Sequence, residues 1–224
     1  MKVWSADLGL LEMIESQSEK RDLRRQFLSW RCELPITQWQ YLSQLLCDRL
    51  KSHLNSHLQL QTAKTILVYQ SHRQEPDLTE LWSDGNWARS KSWGLPRCIK
   101  EDPSAKKPTR LSWHRWNPAL PLVNGTYGLK EPDPRWKILE AGQVDLILVP
   151  MVAGDRQGYR LGYGGGFYDR LFAQPQWRPI PKVGITFGHL LVDRLPHESW
   201  DYPLDAICTE HQWLNISFKE QYKE

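Results

Sequence analysis

Gly162, Gly164, Gly165 and Gly166 fall within five residues, in the stretch Arg160-Leu-Gly-Tyr-Gly-Gly-Gly-Phe-Tyr-Asp-Arg170. Glycines at this density let a backbone take positive φ and turn N–H groups toward an anion. Phe167 to Phe172 reads as a helix opening behind them, whose free N–H groups and dipole also favour phosphate. Arg160 stands just ahead, on the loop, where a guanidinium can grip phosphate oxygens bidentately. Asp169 has two readings. A carboxylate in a first helical turn complements the dipole; it also suits Mg²⁺, which with nucleotide phosphates uses one or two protein carboxylates. Two familiar phosphate loops do not fit. No Lys follows these glycines as GxxxxGK[ST] demands, and Phe167 and Asp169 stand where GxGxxG would put its last glycine. A plain surface turn explains the glycines alone; Arg160, two tyrosines and Asp169 beside them favour a phosphate site.

Such a loop needs a rigid strand behind it. Val144 to Pro150 is apolar and rich in aliphatic residues, the strongest strand signal in the chain. A loop after the carboxyl end of a buried strand is where open α/β sheets bind ligands. Thr65 to Tyr69, Lys182 to Phe187 and Asp205 to Thr209 read as further strands, with Lys91 to Pro96 and Leu111 to Trp116 beside them. Residues 16 to 32 predict a helix capped by Ser16 and Glu19. Thr37 and Gln40 predict a second capping box, and a third helical stretch covers about 77 to 88. His53 and His57 are four apart on the second helix. No Glu lies between them in the HExxH manner, so they read as surface residues. Helices between strands predict an α/β fold: one three-layer domain, a mostly parallel sheet flanked by helices, and an N-terminal helical pair. The domain is expected over residues 16–215, between a flexible N-terminal segment at 1–15 and a tail at 216–224.

The motif Arg160 to Arg170 resembles the signature of the 5-formyltetrahydrofolate cyclo-ligase family, the 5,10-methenyltetrahydrofolate synthetases. Other pieces follow in the family's order: Lys20-Arg-Asp-Leu-Arg24, Tyr69 to Leu78 with Glu75, Leu95-Pro-Arg97, Tyr127 to Pro132, Val144 to Pro150, and Trp200 to Asp205. Leu78, Gly154 and His189-Leu-Leu depart from its pattern. The resemblance implies an ATP- and Mg²⁺-dependent ligase that closes 5-formyltetrahydrofolate to 5,10-methenyltetrahydrofolate, with ADP and phosphate released. It places ATP on Lys20, Arg21, Asp22, Leu23 and Arg24 and on Arg160, Leu161, Gly162, Tyr163, Gly164, Gly165, Gly166, Phe167 and Tyr168. It gives the folate Gln70, Glu75, Tyr163, Gly166 and Tyr168, the metal Asp169 and Asp201, and catalysis Arg160, Lys20 and Tyr168. Without it, Lys20 and Arg24 read as a solvated helix face, and Glu75 and Asp201 as loop residues.

Composition narrows the classes. The chain has 224 residues, 40% apolar and 25% charged, with a net charge of +3. A surplus that small argues against a nucleic-acid or membrane-surface partner, and no apolar run approaches a spanning helix. Cys32, Cys47, Cys98 and Cys208 form no CxxC pair and read as four separate buried thiols. The expectation is a cytoplasmic monomer with ATP and 5-formyltetrahydrofolate as its small-molecule partners. Two other classes compete: a non-catalytic nucleotide-, folate- or RNA-binding protein of the same fold, and a sugar-phosphate isomerase.

Overall fold

Two helices open the chain in the computed structural model, which describes residues 4–217 apart from 58, 59, 84, 101, 103 and 105, with side chains described from residue 17 except at 86. Helix α1 spans Trp4–Cys32, so the start expected at Ser16 lies inside it. Helix α2 spans Ile36–Ser56 with Pro35 at its N-cap and no side-chain cap; the box expected from Thr37 and Gln40 does not form. Proline supplies the entry instead, because its fixed φ suits a first turn and its missing N–H costs nothing there. Ser43, Leu46, Cys47, Leu50 and Leu54 make the buried stripe of α2.

Strand β1 (Thr65–Leu67) follows. Two short helices, α3 (Thr79–Ser83) and α4 (Gly85–Arg89), replace the single helix expected there. Strands β2 (Ser92–Ile99) and β3 (Arg110–Trp116) form an antiparallel pair. A two-stranded ribbon comes next, β4 (Val123–Asn124) against β5 (Lys130–Glu131). Strand β6 (Leu146–Pro150) leads to β7 (Ala153–Asp155), β8 (Arg160–Leu161) and helix α5 (Phe167–Ala173). Then come β9 (Lys182–Ile185), β10 (Leu191–Val192), β11 (Ala206–Cys208) and β12 (Trp213–Asn215).

Seven strands form the main sheet in the order β12-β11-β9-β6-β1-β2-β3. The five inner strands are parallel, and β12 and β3 run antiparallel at the edges. Apolar runs suit β6 and β9 because both faces of a parallel sheet are covered. On one face Ile66, Leu146 and Val183 pack in one cluster with Leu46, Leu50 and Leu54 of α2, Leu81 of α3 and Ala88 of α4. The other carries Leu67, Ile147 and Val149 against Leu171 and Phe172 of α5. These are the three expected layers. Strand order fixes where a ligand can enter. From β1 the chain steps outward to β2, while β6, β9 and β11 step the opposite way, so a crevice opens between the carboxyl ends of β1 and β6. Over that end sits a small sheet, β10-β7-β8, packed under Phe27 of α1.

Candidate active site

The glycine loop leaves β8 at Leu161, whose side chain is buried in the α1 cluster, and enters α5 at Phe167. Gly164 (φ 88) and Gly166 (φ 63) take the left-handed conformation that side chains resist. Two arginines grip the loop through its carbonyls: Arg24 Nε donates to Gly162 O at 2.6 Å, and Arg170 donates to Gly165 O at 2.6 Å. The N–H groups of Gly162 to Gly166 find no acceptor among the described residues. The loop thus spends its acceptors on the protein and keeps its donors for a ligand, as an anion cradle requires.

Arg160 is not on the loop where sequence reasoning put it. It opens β8, its side chain is 5% exposed, and its guanidinium pairs with Asp169, donates to Tyr202 O at 2.9 Å and lies 5.0 Å from the Phe172 ring centroid. Lys20 is buried on α1 and donates to Asp201 Oδ2 at 2.7 Å. Each expected metal carboxylate therefore already pairs with an expected phosphate cation. Each also keeps an oxygen, Asp169 Oδ2 and Asp201 Oδ1, that accepts no hydrogen bond from a described residue. Hard oxygens with spare lone pairs fit Mg²⁺. Among the described residues no group of three or more His, Cys, Asp or Glu side chains forms a complete metal cage.

Arg21 and Asp22 are not brought to this group. Both are exposed on α1, with Asp22 paired to Arg25 at 3.0 Å. At 3.6 residues per turn only positions three or four apart share a face, so Lys20 and Arg24 face inward while Arg21 and Asp22 turn away. Leu23 packs into the cluster beneath α1.

Across the crevice, the segment after β1 carries Gln70, half-buried, and Glu75, 3% exposed. Arg73 (φ 48) and Gln74 (φ 54) both adopt left-handed backbone, unfavourable without glycine. Arg31 Nε holds the first through Arg73 O at 2.9 Å, and Gln74 Nε2 anchors the second on Leu34 O at 3.0 Å. This turn buries Glu75. Its Oε2 accepts the His72 N–H at 3.0 Å, and its Oε1 has no partner among the described residues. Burial raises its carboxyl from the usual 4.5 to about 7, against a smaller downward pull from Arg31. A buried carboxylate oxygen without a donor suits a ligand edge that carries donors.

Arg31 is the site residue that sequence reasoning missed. Fully buried, it bonds Arg73 O after β1, Met151 O after β6 at 3.1 Å, and the Tyr163 hydroxyl in the glycine loop. Its only signal was its place on the inward stripe of α1 with Phe27, seven residues beyond Arg24. Tyr163 in turn donates to His72 O at 3.3 Å. Tyr168 packs beside Trp113 and Phe172, ring centroids 6.3 and 5.9 Å away, and its hydroxyl meets no described protein partner. Burial, then the charge of Glu75, pushes its phenol well above its usual range, so it stays a proton donor. Leu78 is wholly buried, and a Cβ on Gly154 would stand 2.9 Å from Met151 Cε, so both departures from the family pattern serve packing. The four cysteines are free, but only Cys47 and Cys208 are buried as expected; Cys98 is half-buried and Cys32 exposed, on the last turn of α1.

The comparisons with known proteins agree with this fold. The profile of the 5-formyltetrahydrofolate cyclo-ligase family matches residues 16–210. The chain is 29% identical over 190 residues to the 5-formyltetrahydrofolate cyclo-ligase of Haemophilus influenzae, covering 84% of this chain and 96% of that one. It is 36% identical over 149 residues to that of Escherichia coli K12, covering 66% and 78%. Its fold superposes on the 5,10-methenyltetrahydrofolate synthetase of Aquifex aeolicus with a TM-score of 0.71 and 30% identity, over 92% of this chain and 96% of that structure. With its glycine loop, its paired cations and its buried carboxylate all inside the matched span, the chain belongs to the 5-formyltetrahydrofolate cyclo-ligase family.

Proposed function

We propose that the protein closes 5-formyltetrahydrofolate to 5,10-methenyltetrahydrofolate with MgATP. The observation that carries this reading is one crevice with two unlike walls. On one wall, glycine N–H groups lack acceptors beside Lys20, Arg24 and Arg160; on the other, Glu75 Oε1 lacks a donor. An anion with many acceptors fits the first wall, and a ring edge with donors fits the second.

A formamide oxygen is a poor leaving group. Transfer of the γ-phosphoryl group to it breaks the bond to ADP and leaves an iminium phosphate. N10 attacks the formyl carbon and gives up its proton, phosphate departs with the former formyl oxygen, and the amidinium ring is closed. The protein's work is to position and to neutralise. The glycine loop holds phosphate oxygens through N–H groups. Lys20 and Arg160 move from their carboxylates to the polyphosphate, which exposes Asp169 and Asp201. Those two carboxylates would hold Mg²⁺, which offsets phosphoryl charge. Glu75 accepts hydrogen bonds from the pterin edge, and Tyr168 donates its hydroxyl proton or stacks on the flat ring. The test mixes protein, 5-formyltetrahydrofolate and MgATP and follows methenyl absorbance. Growth of that absorbance only when nucleotide and Mg²⁺ are both present is expected. Binding of both ligands with no absorbance change would make the protein a non-catalytic binder.

A further inference from the structure

At the opposite end of the sheet lies a cleft that the proposed folate reaction does not use. Trp93 opens β2 beside Ile66 of β1, and Trp82 meets Trp93 and Trp116 edge-on, ring centroids 6.0 and 5.0 Å apart. Trp136 packs partly buried against the same cluster. Together they line a cavity of about 740 Å³, within the range of small-ligand sites. Aliphatic side chains would fill a core edge equally well. Two partly open indoles, Trp82 and Trp136, instead offer ring surface to a flat partner.

The charged groups among the cleft's described lining residues are of one sign. Arg115 and Lys137 stand exposed in its lining; Lys91 joins them, half-buried and spent on Ala63 O at 2.7 Å. Arg115 spends only Nε, on Ser92 Oγ at 2.9 Å, and the Lys137 ammonium has no partner among the described residues. No carboxylate occurs among the described lining residues. Trp116 Nε1–H, buried in the same wall, has no acceptor. Aromatic surface, unspent cations and a spare donor all ask for one kind of ligand: a planar ring that carries a carboxylate or phosphate. The active-site crevice cannot share its ligand with this cleft. Ser92 pairs with Thr65, the first residue of β1, whereas the glycine loop belongs to the strands' carboxyl end.

We propose that this tryptophan-lined cleft is a second binding site, for a small aromatic anion. Two probes separate the possible sources: p-aminobenzoyl-glutamate for an aromatic carboxylate, and adenosine 5′-monophosphate for an aromatic phosphate. Neutral adenosine is the control. Calorimetric titration uses the full chain, its Lys20→Gln variant to weaken the crevice, and an Arg115→Gln/Lys137→Gln variant. Both latter positions are exposed, so the fold persists. One anion is expected to bind at one equivalent to Lys20→Gln protein, at least tenfold tighter than adenosine, and at least tenfold weaker to the double variant. The preferred probe then names the source. No binding of either anion to Lys20→Gln protein at millimolar concentration would overturn the proposal, as would equal affinity in the double variant.

Discussion

Glu75 sets the terms at the residue scale. Its carboxyl is raised from 4.5 to about 7 by burial. A raised carboxyl binds more protons folded than unfolded, so its contribution to stability falls as pH rises from 4.5 through 7. The full loss above pH 7 is about 3 kcal/mol. Glu75→Gln removes the ionisation. Urea denaturation should find the variant equal to wild type near pH 4 and more stable by up to about 3 kcal/mol at pH 8, while folate turnover falls. Equal pH slopes for the two proteins would show that the carboxyl ionises as freely folded as unfolded. Arg31 is the opposite case, a charge whose removal strands its partners. Arg31→Met leaves Arg73 O, Met151 O and the Tyr163 hydroxyl without their donor. The expected cost is about 3 kcal/mol. Because one guanidinium spans both walls of the crevice, the apparent KM for ATP and for folate should rise together in the folded variant. A rise in only one would confine Arg31 to that wall.

At the scale of elements, the glycine loop separates backbone freedom from ligand approach. A Cβ on Gly162 meets nothing within 4 Å, and Gly162 has no positive φ; Gly164 has φ 88, and a Cβ there would stand 3.5 Å from Arg24 Cζ. Gly162→Ala should therefore keep its stability within about 0.5 kcal/mol and still lose ATP affinity, because the added methyl faces the phosphates. Gly164→Val should lose both, at about 1–3 kcal/mol of strain. Calorimetric titration and denaturation of the two variants check this pair; unchanged ATP affinity in Gly162→Ala would make the loop a turn. Much of this frame was legible in sequence. β1, β6, β9 and β11 announced themselves because a strand covered on both faces is apolar at every position, and the glycine loop because its composition is extreme. β7, β8, β10 and β12 escaped, since two or three residues cannot show a period. The burial of Arg160 followed from that, as β8 was taken for loop. The caps at Ser16 and Thr37 misled because their local pattern competes with a helix that runs on from Trp4 and a proline that already stands at the N-cap of α2. The pairing of Lys20 with Asp201 has no local signature at all.

For the whole molecule, ligands should act on the global equilibrium. A ligand bound only by the folded chain at a hundred times its Kd adds about 2.7 kcal/mol. In a chain of this length that raises Tm by roughly 5–10 °C. MgATP should give such a shift in calorimetry, and Asp169→Asn should shrink it; an equal shift in that variant would leave Asp169 only its place beside Arg160 at the start of α5. No helix among the described residues is long and apolar enough to cross a membrane. The contacts that assemble the crevice have one further consequence. Lys20 reaches Asp201 across 181 residues, Arg24 reaches Gly162 across 138, and Arg31 reaches Tyr163 across 132. The ribosome makes α1 well before its partners. Loops of this length also close slowly, since their entropy must be lost before any contact rewards it. A growing chain can thus form α1 and α2 early and still lack the crevice, because Lys20, Arg24 and Arg31 meet their partners only when residues 162 to 201 have emerged.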